Sequence, residues 1–99
     1  MEEVQLKLND QGHGEFFIPE GNEHIAFMQV GVSGQVLTAF HTEVRPQAEG
    51  QGLAKKLLSA MVDYARKNGL KVNPLCPYVY AQFKRHPEEY ADVWLKPVV

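Results

Sequence analysis

Leu53, Ala54, Leu57, Leu58, Met61, Val62 and Ala65 recur at i, i+3, i+4 spacing, with Lys55, Lys56, Ser59, Asp63, Arg66 and Lys67 on the other face. A stripe of that period specifies an amphipathic helix, from about Gln51 to Asn68, with Gly69 as its left-handed cap. A lone amphipathic helix has to cover something, and the residues ahead of it follow a period of two. Residues 4–8 alternate apolar and polar. Glu15 to Ile18 reads as a second short strand stopped by Pro19. Ile25 to Val32 and Val36 to Val44 are β-prone runs joined by the tight reversal Ser33-Gly34. The first half is therefore expected to be an antiparallel meander. After the helix, Leu70 to Asn73 is β-like, so strand, helix and strand suggest a parallel, right-handed crossover. Pro77 opens a further helix to about Arg85, and Pro87 opens a last one with Glu88 and Glu89 at its positive end. Tyr90 and Trp94 are expected to anchor that end to the core.

Composition narrows the class. With 99 residues, 44% of them hydrophobic and 22% charged, the chain suits one modest core and not a disordered segment. Its single cysteine excludes an intramolecular disulfide framework and multi-cysteine zinc motifs. No apolar run reaches the ~20 residues of a membrane span, and Met1-Glu2-Glu3 lacks the plan of a signal peptide. The expectation is a single domain over residues 1–99, cytoplasmic and monomeric, with no membrane or nucleic-acid partner. Net charge is −2, but residues 1–50 carry eight acids and two bases and residues 51–99 four acids and eight bases. The chain is too acidic for a general nucleic-acid binder. Its basic half suits a small polyanion, or simply solvates helix faces.

The segment Gln47-x-x-Gly50-x-Gly52 lies between a strand and the long helix. Backbone amides at a helix start are unpaired and sit in positive potential, and glycines let a phosphate approach them closely. The pattern has no Gly-Lys-Ser/Thr ending, so it is not a P-loop. A dinucleotide fingerprint would need a glycine where Lys55 stands. Two close glycines before a helix also serve in plain turns.

Gln47-x-x-Gly50-x-Gly52-Leu53-Ala54 followed by Leu57-Leu58 resembles the acetyl-coenzyme A signature of the GNAT superfamily of N-acetyltransferases. His41-Thr42-Glu43-Val44, Tyr64-Ala65-Arg66, Gly69-Leu70-Lys71-Val72, Pro74-Leu75-Cys76-Pro77-Tyr78-Val79 and His86-Pro87-Glu88-Glu89-Tyr90 are similar, in the same order, to a family of minimal single-domain GNAT-like proteins. The resemblance covers about residues 25–94. It implies a mixed α/β sheet of GNAT-like fold, with antiparallel N-terminal strands, a splayed parallel strand pair, one long helix and two short C-terminal helices. It also implies acetyl-coenzyme A in the gap. The pantetheine arm would pair with backbone near Glu43 and Val44. The pyrophosphate would lie on amides from Gln47 through Glu49, Gly50, Gln51 and Gly52 to Leu53. Lys55, Lys56, Lys84 or Arg85 would supply further charge.

His41 and Glu43 are two apart on a strand and so share a face. An imidazole and a carboxylate there can deprotonate an amine, or they can be ordinary half-exposed strand residues. The resemblance favours Glu43 as the base. Cys76, before Pro77, is placed to cap a helix, where a thiol sees the positive end of the dipole. It is an acetyl carrier, part of the cofactor tunnel, or a buried small hydrophobe. His41, Cys76 and His86 have no recognisable metal spacing. His13 and His24 fall in turn-like segments and are expected to be solvated. Tyr78, Tyr80 and Phe83 are expected to pack the short helix. The implied activity is acetyl-coenzyme A-dependent transfer to an amine of a small molecule or protein, directly or through an acetyl-cysteine. The alternatives are a non-catalytic coenzyme A-binding module and a structural domain whose glycine loop is only a turn.

Overall fold

The computed structural model describes residues 3–96. Five strands form one sheet in sequence order: β1 (Gln5–Leu8), β2 (His13–Glu20), β3 (Glu23–Ser33), β4 (Val36–Val44) and β5 (Lys71–Pro74). The first four pair antiparallel and β4 pairs parallel with β5, as the alternation of residues 4–44 and the intervening helix require. The crossover is α1 (Leu53–Lys67), preceded by a 3-10 turn over Pro46–Ala48. Two short helices follow, α2 (Pro77–Arg85) and α3 (Pro87–Tyr90). No helix among the described residues is long and apolar enough to cross a membrane.

The apolar stripe of α1 is buried as the periodicity dictates. Leu53, Leu57, Leu58, Met61, Val62 and Ala65 join Phe16, Ile18, Ala26, Met28, Val30, Leu37, Ala39 and Val72 in one core. Burying a residue such as Leu57 contributes about 1.5–3 kcal/mol. The helix ends in a paired set of turn bonds. Leu70 N–H donates to Ala65 O at 2.8 Å and Gly69 N–H to Arg66 O at 3.4 Å, with Gly69 left-handed at φ 66°. Phe83 of α2 is fully buried, stacked on Tyr90 at 4.7 Å and edge-on to Trp94 at 5.6 Å, which is the anchoring expected of Tyr90 and Trp94.

Three features depart from the sequence expectation. Pro19 does not stop β2, which runs on to Glu20. Proline falls at a register shift between Ile18 and Pro19, where the ladder is already broken and its missing N–H costs little. His13 and Gly14 belong to β2 and not to the turn: any Cβ on Gly14 would collide with the backbone of Lys7 and Leu8, so glycine is what lets β1 come within pairing distance. Finally, residues 93–95 run beside β5. Val72 N–H donates to Val93 O at 2.6 Å and Leu95 N–H to Val72 O at 2.8 Å, covering the outer edge of the sheet.

Candidate active site

Pairing between β4 and β5 ends at Ala39 and Pro74, although β4 continues to Val44. The two strands part there. Cys76 N–H still donates to Ala39 O at 2.8 Å, and beyond that point α2 begins. On its other side β4 stays paired with β3 as far as Val44, and Arg45 N–H donates to Ile25 O at 2.8 Å. In an antiparallel ladder the bonded residues alternate. His41 and Glu43 therefore turn their backbone groups to β3, while Thr42 and Val44 turn theirs into the gap. The gap thus presents a short strand edge, available to any extended ligand that can pair with it.

Phe40 decides where the side chains go. Gln29 pairs with His41 but Val30 with Ala39, so Phe40 is an extra residue in β4. Strict alternation would place His41 and Glu43 on the buried face with Leu37 and Ala39. The bulge reverses the phase. Both side chains emerge on the face opposite α1, more than half exposed, with His41 Nε2 and Glu43 Oε1 3.2 Å apart. Thr42 turns inward instead, and its Oγ1 lies 3.2 Å from the Cys76 sulfur across the gap. Cys76 is the N-cap residue of α2, as expected, but its side chain bonds none of the helix amides. Its thiol is 2% exposed. Next to it, burial and then the Cys76 sulfur raise the Tyr78 phenol above its ordinary value of 10, keeping it a neutral hydrogen-bond donor.

The glycine loop leaves a run of backbone amides bare. Gly50 (φ 85°) and Gly52 (φ 73°) are both left-handed, a region that other residues enter at a cost. Gly52 is the N-cap of α1 and so offers no capping side chain, and the first helical bond runs from Lys56 N–H to Gly52 O at 3.2 Å. Among the described residues, the N–H groups of Gly50, Gln51, Gly52, Leu53, Ala54 and Lys55 have no acceptor. A helix start normally carries acidic residues in its first turn. This one has none, and Lys55 and Lys56 sit against the dipole instead. A Cβ on Gly50 or Gly52 would meet nothing within 4 Å, so the approach to these amides is open.

Each sequence candidate can now be placed. Val44, half-buried, ends β4 at the gap, and Gln47, Glu49, Gly50, Gln51 and Gly52 are exposed along the loop. Leu53 buries its side chain in the core and offers only its N–H. The Glu49 N–H is already bonded to Pro46 O at 3.3 Å. Lys84 lies over the Tyr80 ring, 5.6 Å from its centroid. His86 is exposed between α2 and α3, and no cluster of metal ligands occurs among the described residues. His24 is not merely solvated, as its turn-like setting suggested. It stacks on Phe17 at 3.9 Å and bonds Glu15 through Nδ1. No sequence signal marks the Phe40 bulge or the Thr42–Cys76 contact, because neither a phase reversal nor a contact across 34 residues has a local pattern.

Comparison with known proteins bears on the family and the fold. No curated protein matches the chain. A GCN5-like protein of Staphylococcus aureus, assigned as an N-acetyltransferase, superposes with a TM-score of 0.69 at 29% identity, covering 99% of this chain and 94% of that one. The ribosomal-protein-S18-alanine N-acetyltransferase of Escherichia coli gives 0.58 at 25% identity over 65% of this chain and 42% of its own length. A ribosomal-protein-alanine N-acetyltransferase of Brucella melitensis biovar Abortus 2308 shares the fold, with a TM-score of 0.61 at 18% identity over 91% of this chain and 70% of that one. The family model for GCN5-related N-acetyltransferases matches residues 15–93, from the second strand through the parted strands and glycine loop to the segment beside β5. The match spans most of the chain, and the chain therefore belongs to the GCN5-related N-acetyltransferase family.

Proposed function

We propose that this acetyltransferase domain takes acetyl-coenzyme A as its donor and moves the acetyl group to a primary amine, with Glu43 as the base. The observation that carries the reading is the run of unpartnered N–H groups from Gly50 to Lys55, at the open end of the gap between β4 and β5. A pyrophosphate answers a run of donors that the chain itself leaves without an acceptor. Gln47, Gly50, Gln51, Gly52 and Leu53 line that cradle, with the Leu53 contribution purely from backbone, and Glu49, whose N–H is taken by Pro46 O, borders it without a donor. The Thr42 and Val44 backbone edge supports strand-like pairing of the pantetheine arm. With the diphosphate on the α1 side, an arm threaded through the gap delivers the thioester towards the opposite face, where His41 and Glu43 emerge.

In the reaction the amine nitrogen attacks the thioester carbonyl. A C–N bond forms, the C–S bond breaks, the ammonium proton passes to Glu43, and the coenzyme leaves as a thiolate that takes a proton. His41, hydrogen-bonded to Glu43, orients the carboxylate. A gap-facing N–H of Thr42 or Val44 can stabilise the oxyanion. Glu43→Gln is expected to lower kcat by about 10²-fold or more, with coenzyme A affinity unchanged. Unchanged kcat would remove Glu43 from the role.

A second route has its own observation. The buried Cys76 sulfur lies 3.2 Å from Thr42 Oγ1, where β4 and β5 part. A Cys76 thiolate could take the acetyl group first, releasing coenzyme A, and then pass it to the amine. Acetyl-labelled enzyme that chases to amine, and loss of turnover in Cys76→Ala, would establish that route. Full turnover in Cys76→Ala would exclude it. Coenzyme A binding without transfer to any amine would leave a binding module. If Gly52→Glu, which drives a carboxylate into the cradle, left coenzyme A affinity unchanged, the cradle itself would be wrong.

A further inference from the structure

The sheet face opposite α1 carries two lateral rows of cross-strand neighbours. One runs Lys7, Glu15, Gln29, His41, and the other Gln5, Phe17, Phe27, Glu43. Lys7, Gln29, His41 and Glu43 are exposed and Glu15 is half-buried. Helix α1 lies on the other face, with the core, so these rows face outward. Between Glu43 on β4 and Glu15 on β2 lie Phe27 and the imidazole of His24, which covers Phe17. A depression of about 360 Å³ lies beside this track at its Glu15 end, bounded by Glu15, Asn22, Glu23, His24, Phe27 and Arg45 and not reaching Glu43. Arg45 is committed to Glu23 at 3.6 Å and to His24 O at 3.1 Å. Among the described residues, Glu15 and Glu43 instead have only an imidazole as partner. Among the described residues neither carboxylate has a Lys or Arg nitrogen within 4 Å, although Lys7 is the cross-strand neighbour of Glu15.

The pattern along this track is carboxylate, rings, carboxylate. We infer that the acceptor is an aliphatic dication: an amine acetylated at Glu43 and a second ammonium held by Glu15, joined by a hydrocarbon chain lying over Phe27 and the His24 ring. Glu15 and Glu43 are two strands and two residues apart, so their α-carbons are on the order of 12 Å apart. Allowing an ion-pair contact at each end leaves roughly 7–10 Å between the two nitrogens. Ring faces suit both methylenes and the cations that flank them. Lys7, beyond Glu15 at the sheet edge, ends the track and opposes a longer polycation. The inference rests on the acetyl-transfer reading and adds Glu15 as the residue that selects the acceptor.

Calorimetric titration of 1,6-diaminohexane and n-hexylamine into the full chain saturated with coenzyme A tests it. The diamine is expected to bind about fivefold more tightly, the effect of one exposed ion pair. Glu15→Gln should bring the two amines within about twofold while coenzyme A affinity holds. Lys7→Gln should widen the preference, and Asp63→Asn, on α1 away from this face, should leave it at fivefold. Equal binding of the two amines by the unsubstituted chain, or a preference that survives Glu15→Gln, overturns the inference and leaves the acetyl-transfer reading intact. Failure of coenzyme A itself to bind overturns that reading, and this one with it. Amine selectivity without turnover would count against the reaction and for the acceptor site.

Discussion

Gly52 joins two demands at a single residue. Its φ of 73° sets the angle at which β4 hands over to α1, and its missing side chain leaves the helix amides open. Gly52→Ala is expected to cost about 1 kcal/mol of stability through backbone strain alone. It should also weaken coenzyme A by about tenfold. Thermal melts and calorimetry on the same samples separate the two effects. A conservative change at Gln47, whose backbone torsions any residue can adopt, should alter stability by less than ~0.5 kcal/mol. The glycines were legible in the sequence because their need is local, a tight turn before an apolar stripe. The orientation of His41 and Glu43 was legible only in part. Their spacing shows that they share a face, but which face depends on the extra residue at Phe40. A bulge is set by how β3 and β4 pair, so no window of β4 alone contains it. The setting of His24 is hidden from its own segment for a similar reason: its stacking partner Phe17 and its carboxylate Glu15 sit on the preceding strand.

At the scale of elements, α1 was the most readable, since seven apolar residues at one period leave no other structure. Pro19 misled because proline is a strand breaker only where the ladder is intact, and here it coincides with a register shift. The segment after α3 has no periodicity to read and is held by its backbone bonds to Val72 and by side chains. Arg66 near the end of α1 donates to both Asp92 oxygens, at 2.8 and 3.2 Å, and to Glu89 O at 2.8 Å, while Lys71 Nζ donates to Asp92 O at 2.6 Å. The Arg66 hydrogen bond, aided by its charge, holds the Asp92 carboxyl below its ordinary value of 3.8. The folded chain therefore releases that proton more readily than the unfolded one. The fork stabilises the fold at pH above about 3.8 and loses its contribution as pH falls through the lowered folded value. Asp92 is 57% exposed, so solvent screening limits the effect to under ~1 kcal/mol. Asp92→Asn should lower the denaturation midpoint slightly at pH 7 and make no difference near pH 2. A difference of the same size at both values would show that the fork acts through packing and not charge.

Across the whole molecule, one core carries the sheet, α1 and both short helices, with no charged or polar residue buried among those described. A domain of this size is stable by about 5–15 kcal/mol. Phe83→Ala, which empties the fully buried position between Tyr90 and Trp94, is expected to cost about 3–5 kcal/mol. Phe40→Ala, at a ring 47% exposed on the open face, should cost less than ~1 kcal/mol. Urea denaturation of both checks whether the core divides the chain as described. The same fold explains why the gap can stay open. The bonds between β5 and residues 93–95 secure the outer edge of the sheet, and α1 braces β4 from beneath, so the parted strands need not meet. Coenzyme A at a hundredfold excess over its Kd is expected to stabilise the fold by about 2.7 kcal/mol. That corresponds to a Tm rise of roughly 10–20 °C for a chain this short.

Titration of the isotope-labelled chain with coenzyme A, followed at each backbone amide, tests the anion cradle most directly. The N–H resonances of Gly50 to Lys55 should move furthest and together, with Thr42 and Val44 next and the β1–β2 hairpin still. Saturation that leaves Gly50 to Lys55 unmoved, or no binding at millimolar coenzyme A, would contradict the assignment of the helix start as the diphosphate site.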